Sequence, residues 1–400
     1  MGEPMKRVVR LDLRMHPAFD ERIAREAGIE LIVAPRAGAD AQTWAALAQA
    51  HVYHVSAAKD ELPRGWFVTA QMLERCPQLL CVSSSGAGYD TIDVEACSKA
   101  GVLVVNQTGG NAVSVAEHAL GMIIALAHRI VESDKRLRRE TGFNRDDLMG
   151  AELAGKTVGI VGVGNIGTRV ARLAEAFGMR VIACDPYLDE QEIGRRGARA
   201  VKFDDLLAES DYVSVHCPRN AETLKLFDAR AFGRMKRGAK FVSTARGGIH
   251  DEKALHDALQ SGQVGGAGLD VWDQEPPPLD HPLLKLDTVI ATFHTAGVTA
   301  EARSNMAAIA ADQIAAFLGG TKPPRIVNPP AWPAVEQRMQ ALLAASANCF
   351  SGDLEREPIQ SRCGDPAPAS FPACRGQRRT CACARGSRAA VHRRQRAGRR

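Results

Sequence analysis

Apolar and polar positions alternate with the period of a strand over KRVVRLDLR (6–14), then shift to helical spacing over 18–27. An apolar run, IELIVAP, comes next, then a helical stretch over 42–50 and a second run, HVYHVSA. A helix-like TAQMLERCP leads to LLCVSSSGAGYD. Strands that take turns with helices predict a parallel α/β sheet within the first hundred or so residues. A long helix is predicted over 112–129, apolar on most of its faces and therefore buried. A charged stretch over 132–150 reads as loop, and βαβ units resume at TVGIVG and continue to about Thr292. Residues 299–318 have helical spacing and run into VNPP, which predicts that the chain returns there to its first unit. This gives a domain of residues 1–111 and 299–335, with residues 112–298 inserted in it and a cleft between the lobes.

From about Gln340 the periodicity fades. The last 30 residues contain ten Arg and no acid, the composition of a disordered basic tail over 340–400. Dominance of Arg, Ala, Pro, Gly and Cys after about 345 also fits an out-of-frame translation of a GC-rich gene. This tail changes how the net charge of +5 is read, because residues 331–400 carry +8 and the rest carries −3. A mildly acidic body argues against nucleic acid as a partner. Cys76, Cys81, Cys97, Cys184 and Cys217 lie in apolar runs without metal-ligand spacing and read as reduced, buried thiols. Cys381 and Cys383 lack a second suitably spaced pair, so no metal is expected. The longest apolar run, 119–127, is far short of the ~20 residues needed to span a bilayer. The start has no signal-peptide pattern, so the expected location is cytoplasmic.

The strongest local pattern is TVGIVGVGNIGTRVARLAEAFGMRVIACDP. A β-branched strand runs into Gly162-Val163-Gly164-Asn165-Ile166-Gly167, a helix follows, and a second strand ends at Asp185. Gly162 permits the tight turn. Gly164 lets backbone approach a pyrophosphate at the helix N-terminus, and Gly167 lets helix and strand pack closely. Asp185, 18 residues past Gly167, is placed to accept hydrogen bonds from an adenosine ribose and to repel a 2′-phosphate. The motif therefore predicts a Rossmann unit binding NAD rather than NADP.

Three further segments place polar groups at strand-like ends. Arg246 follows VSTA, Asp270 and Glu275 flank the strand end in GAGLDVWDQEPPP, and His294 follows TVIATF. Ligands of open α/β sheets lie at the carboxyl ends of strands, so these groups converge on one crevice. Oxidation of a secondary alcohol needs a base for the hydroxyl proton, and imidazole titrates near neutrality. A carboxylate beside the ring would orient it and favour the imidazolium. Arginine can hold a substrate carboxylate in bidentate fashion.

These motifs, together with SSSGAGYDTID, NAVSVAEHALG, SDYVSVHCPRNAET and FHTAGVT, resemble the D-isomer-specific 2-hydroxyacid dehydrogenases over roughly residues 50–330. The resemblance implies an α/β fold in which a Rossmann NAD-binding domain is inserted in a flavodoxin-like substrate domain. It implies His294 as general acid/base, Glu275 as its carboxylate partner and Arg246 as the substrate-orienting residue. Asp270 would bond the nicotinamide carboxamide, Cys217, Pro218 and Thr223 would line the adenine and ribose side, and Ala245 would contact the nicotinamide side. The loop Ser85-Gly86-Ala87-Gly88 would offer backbone N–H groups to the substrate carboxylate. The expected protein is an NAD-dependent oxidoreductase of a small 2-hydroxy or 2-keto acid, working as a homodimer; the alternative is an NAD-sensing, corepressor-like protein without turnover. Some positions depart from the family's pattern. Phe293 stands where Pro usually precedes the catalytic His, Asn106-Gln107-Thr108-Gly109 replaces N-x-P-G and should loosen that turn, and Lys59 and Arg64 are the nearest candidates for a phosphate-binding residue.

Overall fold

A computed structural model describes residues 5–351, with side chains to residue 341. Cys381, Cys383 and the stretch read as out of frame lie outside the described residues beyond Ser351. Five strands form one sheet: β1 (Lys6–Leu11), β2 (Ile29–Ala34), β3 (Val52–Ser56), β4 (Cys81–Ser85) and β5 (Leu103–Val105), in the order β2-β1-β3-β4-β5. Seven more form a second: β6 (Thr157–Val161), β7 (Arg180–Cys184), β8 (Arg199–Ala200), β9 (Tyr212–Val215), β10 (Ala239–Ser243), β11 (Val264–Leu269) and β12 (Val289–Ala291). Their order is β12-β11-β10-β9-β6-β7-β8. Every pairing in both sheets is parallel. The α/β class follows from the near-continuous apolar runs, since β6 and β9 are buried at every position and need helices over both faces.

Helix Ala112–Ala127 carries the chain from the first sheet to the second, where it packs on β10, β11 and helix Gly167–Ala176. Helix Ala300–Leu318 brings it back and packs on β4 and helix Ala18–Ile23. One core on the first sheet joins Phe19, Ile23, Ile314 and Phe317 to Val335 and Met339 of helix Trp332–Ser351. That helix continues beyond Gln340, where apolar periodicity fades. Among the described residues no single helix is long and apolar enough to cross a membrane.

The charged stretch read as loop contains helix Ile130–Arg139. None of its residues is fully buried and only Ile130, Val131 and Leu137 are apolar, so its charge density reads as solvated chain. Ion pairs one turn apart, Arg136–Glu140 and Arg138–Asp134, line its surface. Arg129, at φ 52°, separates it from the preceding helix.

A histidine is enclosed in the second sheet's aromatic core. His250 stacks edge-on against Phe241 at 5.5 Å, and neither ring nitrogen has a partner among the described residues. Burial pushes its pKa down to about 4. Its contribution to stability is therefore complete above pH about 6.5, the unfolded value, and is lost as pH falls toward about 4. Replacing it with His250→Val removes two buried, unpartnered polar atoms. We expect the denaturant midpoint at pH 7 to rise, by about 1 kcal/mol of stability, and its fall between pH 6.5 and 4 to become shallower. Urea titrations at the two pH values check both; a less stable variant at both would show that the histidine is satisfied.

Candidate active site

The turn after β6 is built as its glycines require. Gly162 lies at φ 89°, and a Cβ there would come within 2.8 Å of the Cys217 amide nitrogen. A Cβ on Gly167 would come 2.1 Å from the Gly162 carbonyl oxygen, so no side chain fits where the helix meets the strand. Gly164 faces open space. Gly164, Asn165 and Ile166 border a cleft of about 500 Å³, with Ala87 and Gly88, Cys217 and Pro218, and Ala245 and Arg246 on its other sides. Open room before the first turn of helix Gly167–Ala176 fits a dinucleotide's pyrophosphate.

Asp185 stands at the end of β7, half-buried. Its carboxylate accepts from the amides of Val163 (2.9 Å) and Tyr187 (3.1 Å), which ties the second strand to the glycine turn. Cys217 lies in the cleft wall, where burial pushes its thiol up to about 11 and keeps it protonated. Thr223 is not in that wall. Its hydroxyl donates to the Pro218 carbonyl at 2.7 Å and fixes the loop that places Pro218.

His294 and Glu275 meet directly. His294 Nδ1 lies 2.9 Å from Glu275 Oε2, and Glu275 Oε1 accepts from the Trp272 amide at 3.1 Å. The Glu275 hydrogen bond raises the His294 pKa above its ordinary value, outweighing desolvation and the opposing charge of Arg246. Desolvation pushes Glu275 upward, but the His294 hydrogen bond and nearby cations leave it below the usual range. The imidazole is 40% exposed, so Nε2 is reachable.

His294 has φ 46°, a left-handed conformation that a non-glycine residue holds only under constraint. The constraint comes from Asp270. The Asp270 carbonyl accepts from the His294 amide at 2.7 Å, and its carboxylate accepts from the amides of Thr295 and Ala296 and from the Thr292 hydroxyl. Asp270 has no exposed surface. Its carboxylate thereby fixes the His294 loop, with Oδ2 accepting a single bond, from Ala296. Phe293, in the place of the family's proline, is exposed.

The loop after β4 also differs from expectation. Gly86, at φ 140°, gives its amide to Gln107 Oε1 at 2.5 Å, and Ser85 ends the strand. Among the described residues the amides of Ala87 and Gly88 have no protein acceptor, so these two form the available nest. Asn106 Nδ2 donates to the Ala87 carbonyl at 2.8 Å. Asn106 and Gln107 are buried and brace the loop, so the turn expected to be loose is tied by side chains instead. Arg246 Nη1 donates to its neighbour's carbonyl at 2.7 Å, and Nε reaches Asp90 Oδ2 at 3.2 Å. Gly88 is pressed against it: a Cβ there would come 2.3 Å from Arg246 Nη2. Lys59 and Arg64 are exposed and outside the cleft wall. Asn106, Gln107, Asp90 and Arg219 were not singled out as site residues, because their partners are remote in sequence.

Comparison with known proteins agrees with this architecture. Residues 120–296 match the family model described as D-isomer specific 2-hydroxyacid dehydrogenase, NAD binding domain. D-3-phosphoglycerate dehydrogenase of Archaeoglobus fulgidus is 41% identical over 263 residues, covering 66% of this chain and 50% of that protein. Glyoxylate reductase of Korarchaeum cryptofilum is 40% identical over 264 residues, covering 65% of this chain and 80% of that protein. The crystal structure of TT0316 protein from Thermus thermophilus is similar with a TM-score of 0.70 at 31% identity, covering 80% of this chain and 99% of that one. The chain belongs to the D-isomer-specific 2-hydroxyacid dehydrogenase family and carries its NAD-binding domain. It spans about half the length of the curated D-3-phosphoglycerate dehydrogenases it matches.

Proposed function

We propose that the protein is an NAD-dependent oxidoreductase interconverting a D-2-hydroxy acid and its 2-keto acid. The observation that carries this reading is the His294–Glu275 pair at 2.9 Å, with Arg246 on the cleft beside the glycine turn. The keto acid's carboxylate sits against Arg246 Nη2 and the amides of Ala87 and Gly88. His294 Nε2 donates a proton to the ketone oxygen in reduction and accepts it from the hydroxyl in oxidation. Glu275 stabilises the imidazolium and fixes the ring, and Asp270 holds the loop on which the ring is mounted. Gly162, Gly164, Asn165, Ile166, Gly167 and Asp185 hold the cofactor, with Cys217, Pro218 and Ala245 along its length. When bound there, NAD supplies or accepts the hydride.

Residues 1–111 and 299–335 act as the substrate domain and 112–298 as the cofactor domain in this reading. Exposed Ile130, Leu137 and Met149 lie on the stretch that follows helix Ala112–Ala127 and supply the apolar surface for a homodimer. The cleft wall carries no cation besides Arg219 and Arg246 among the described residues. A small 2-keto acid therefore fits better than a phosphorylated one.

The test is NADH oxidation against glyoxylate, hydroxypyruvate, pyruvate and 3-phosphohydroxypyruvate. Turnover is expected with a small 2-keto acid at a kcat/KM at least tenfold above that for 3-phosphohydroxypyruvate. NADH binding with no turnover on any of the four would sink the enzyme reading, and a preference for the phosphorylated acid would overturn the substrate class.

A further inference from the structure

Asp90 lies in the cleft wall between two guanidinium groups. Its Oδ2 accepts from Arg246 Nε at 3.2 Å, and its Oδ1 accepts from Arg219 Nη2 at 3.2 Å. Arg219 is held on its other side, with Nη1 3.3 Å from the Gly247 carbonyl. Among the described residues, Asp90, Arg219 and Arg246 are the charged groups lining the cleft; His216, also in the wall, is kept neutral at pH 7 by burial. Two cations and one anion leave a net charge of +1 at the place where an anionic substrate would bind.

The balance depends on Arg219. A carboxylate bonded to Arg246 alone would cancel much of that residue's field and compete with any incoming carboxylate. Sharing Asp90 with a second guanidinium lets the aspartate orient Arg246 through Nε without quenching it. Arg246 Nη2, close against Gly88, is then left for the substrate, since Nε and Nη1 hold the protein. Arg219 is fixed beside Asp90 by two bonds, one from each terminal nitrogen, to Asp90 and to the Gly247 carbonyl.

We propose that Arg219 is a positioning residue that sets affinity for the substrate carboxylate by neutralising Asp90, leaving the charge of Arg246 to the substrate. This rests on the reading of Arg246 given above. It predicts that Arg219 acts on any 2-keto acid, whatever its distal group, and acts through Asp90.

The test is the Kd of oxamate, a small carboxylate analogue, for the protein–NADH complex, followed by NADH fluorescence and accompanied by KM and kcat for glyoxylate. Arg219→Gln should weaken oxamate and raise the KM by about fivefold, the scale of one partly screened charge, with kcat and NADH affinity little changed. Arg219→Lys should recover most of the loss. The double variant Arg219→Gln, Asp90→Asn should return oxamate affinity close to that of the unmodified protein, because no carboxylate remains to be offset. Loss of affinity without rescue by Asp90→Asn would overturn the proposal, as would a loss confined to NADH or to 3-phosphohydroxypyruvate. If Arg246→Gln weakens oxamate and Arg219→Gln does not, this inference fails while the reading of Arg246 stands. If neither variant weakens oxamate, or the unmodified complex does not bind it, the carboxylate site itself is misplaced.

Discussion

His294→Asn should lower kcat for 2-keto acid reduction by about 10³-fold while leaving NADH binding within a factor of two. The imidazole is paired with Glu275 through Nδ1, which leaves Nε2 to exchange the proton in the proposed mechanism. Asparagine keeps a polar side chain, and the residue tolerates φ 46° better than most, so the loop survives the change. The pH profile carries the same information without a substitution. Reduction needs the imidazolium, and the Glu275 hydrogen bond raises the His294 pKa. The rate of reduction should thus hold through neutral pH and fall on the alkaline side, at a pH above that of an ordinary histidine. Oxidation should rise over the same interval. Glu275→Gln should move both limbs to lower pH. Profiles of kcat/KM in the two directions check this, and limbs that do not move in Glu275→Gln would remove Glu275 from the proton-transfer machinery.

Arg246→Gln should reduce kcat/KM by about 10³-fold, mostly through KM, since it deletes the guanidinium that lies against Gly88 and is proposed to hold the substrate carboxylate. Arg246→Lys should fall between the two, because it keeps the charge but not the two-pronged geometry. Arg246 is about one quarter exposed, so the fold should tolerate both changes. Saturation kinetics with intact NADH fluorescence would separate lost substrate binding from lost cofactor binding. An unchanged KM would show that the carboxylate lies elsewhere.

Much of this site can be read from local sequence because its parts are local. The strand, the three glycines and Asp185 fall within about thirty consecutive residues, and Gly162 and Gly167 each have a steric reason to be there. Arg246, Glu275 and His294 are legible because apolar strands end immediately before or near them. The unread parts depend on distance. Asp90 and Arg219 are 129 positions apart, and nothing near either residue indicates the other. Gln107 reaches back 21 positions to Gly86, so the missing proline of the turn, at Thr108, is visible in the sequence and the brace beside it is not. Asp270 sits at the right strand end, but its three acceptor bonds to the His294 loop are visible only in three dimensions. Helix Ile130–Arg139 escaped because seven of its ten residues are charged or polar and none is fully buried, so its composition reads as loop.

The contact between Gly88 and Arg246 limits how such a protein can diversify. A side chain at position 88 would displace Nη2 of Arg246, so a change there moves the guanidinium proposed to hold the substrate carboxylate. Ala87, one residue earlier on the same wall, already carries a side chain, and the loop can exchange it while the backbone amide stays in place. Libraries aimed at a new substrate should therefore hold Gly88 fixed and randomise Ala87. In the proposed mechanism, the position that must stay small and the position open to exchange are adjacent in the chain.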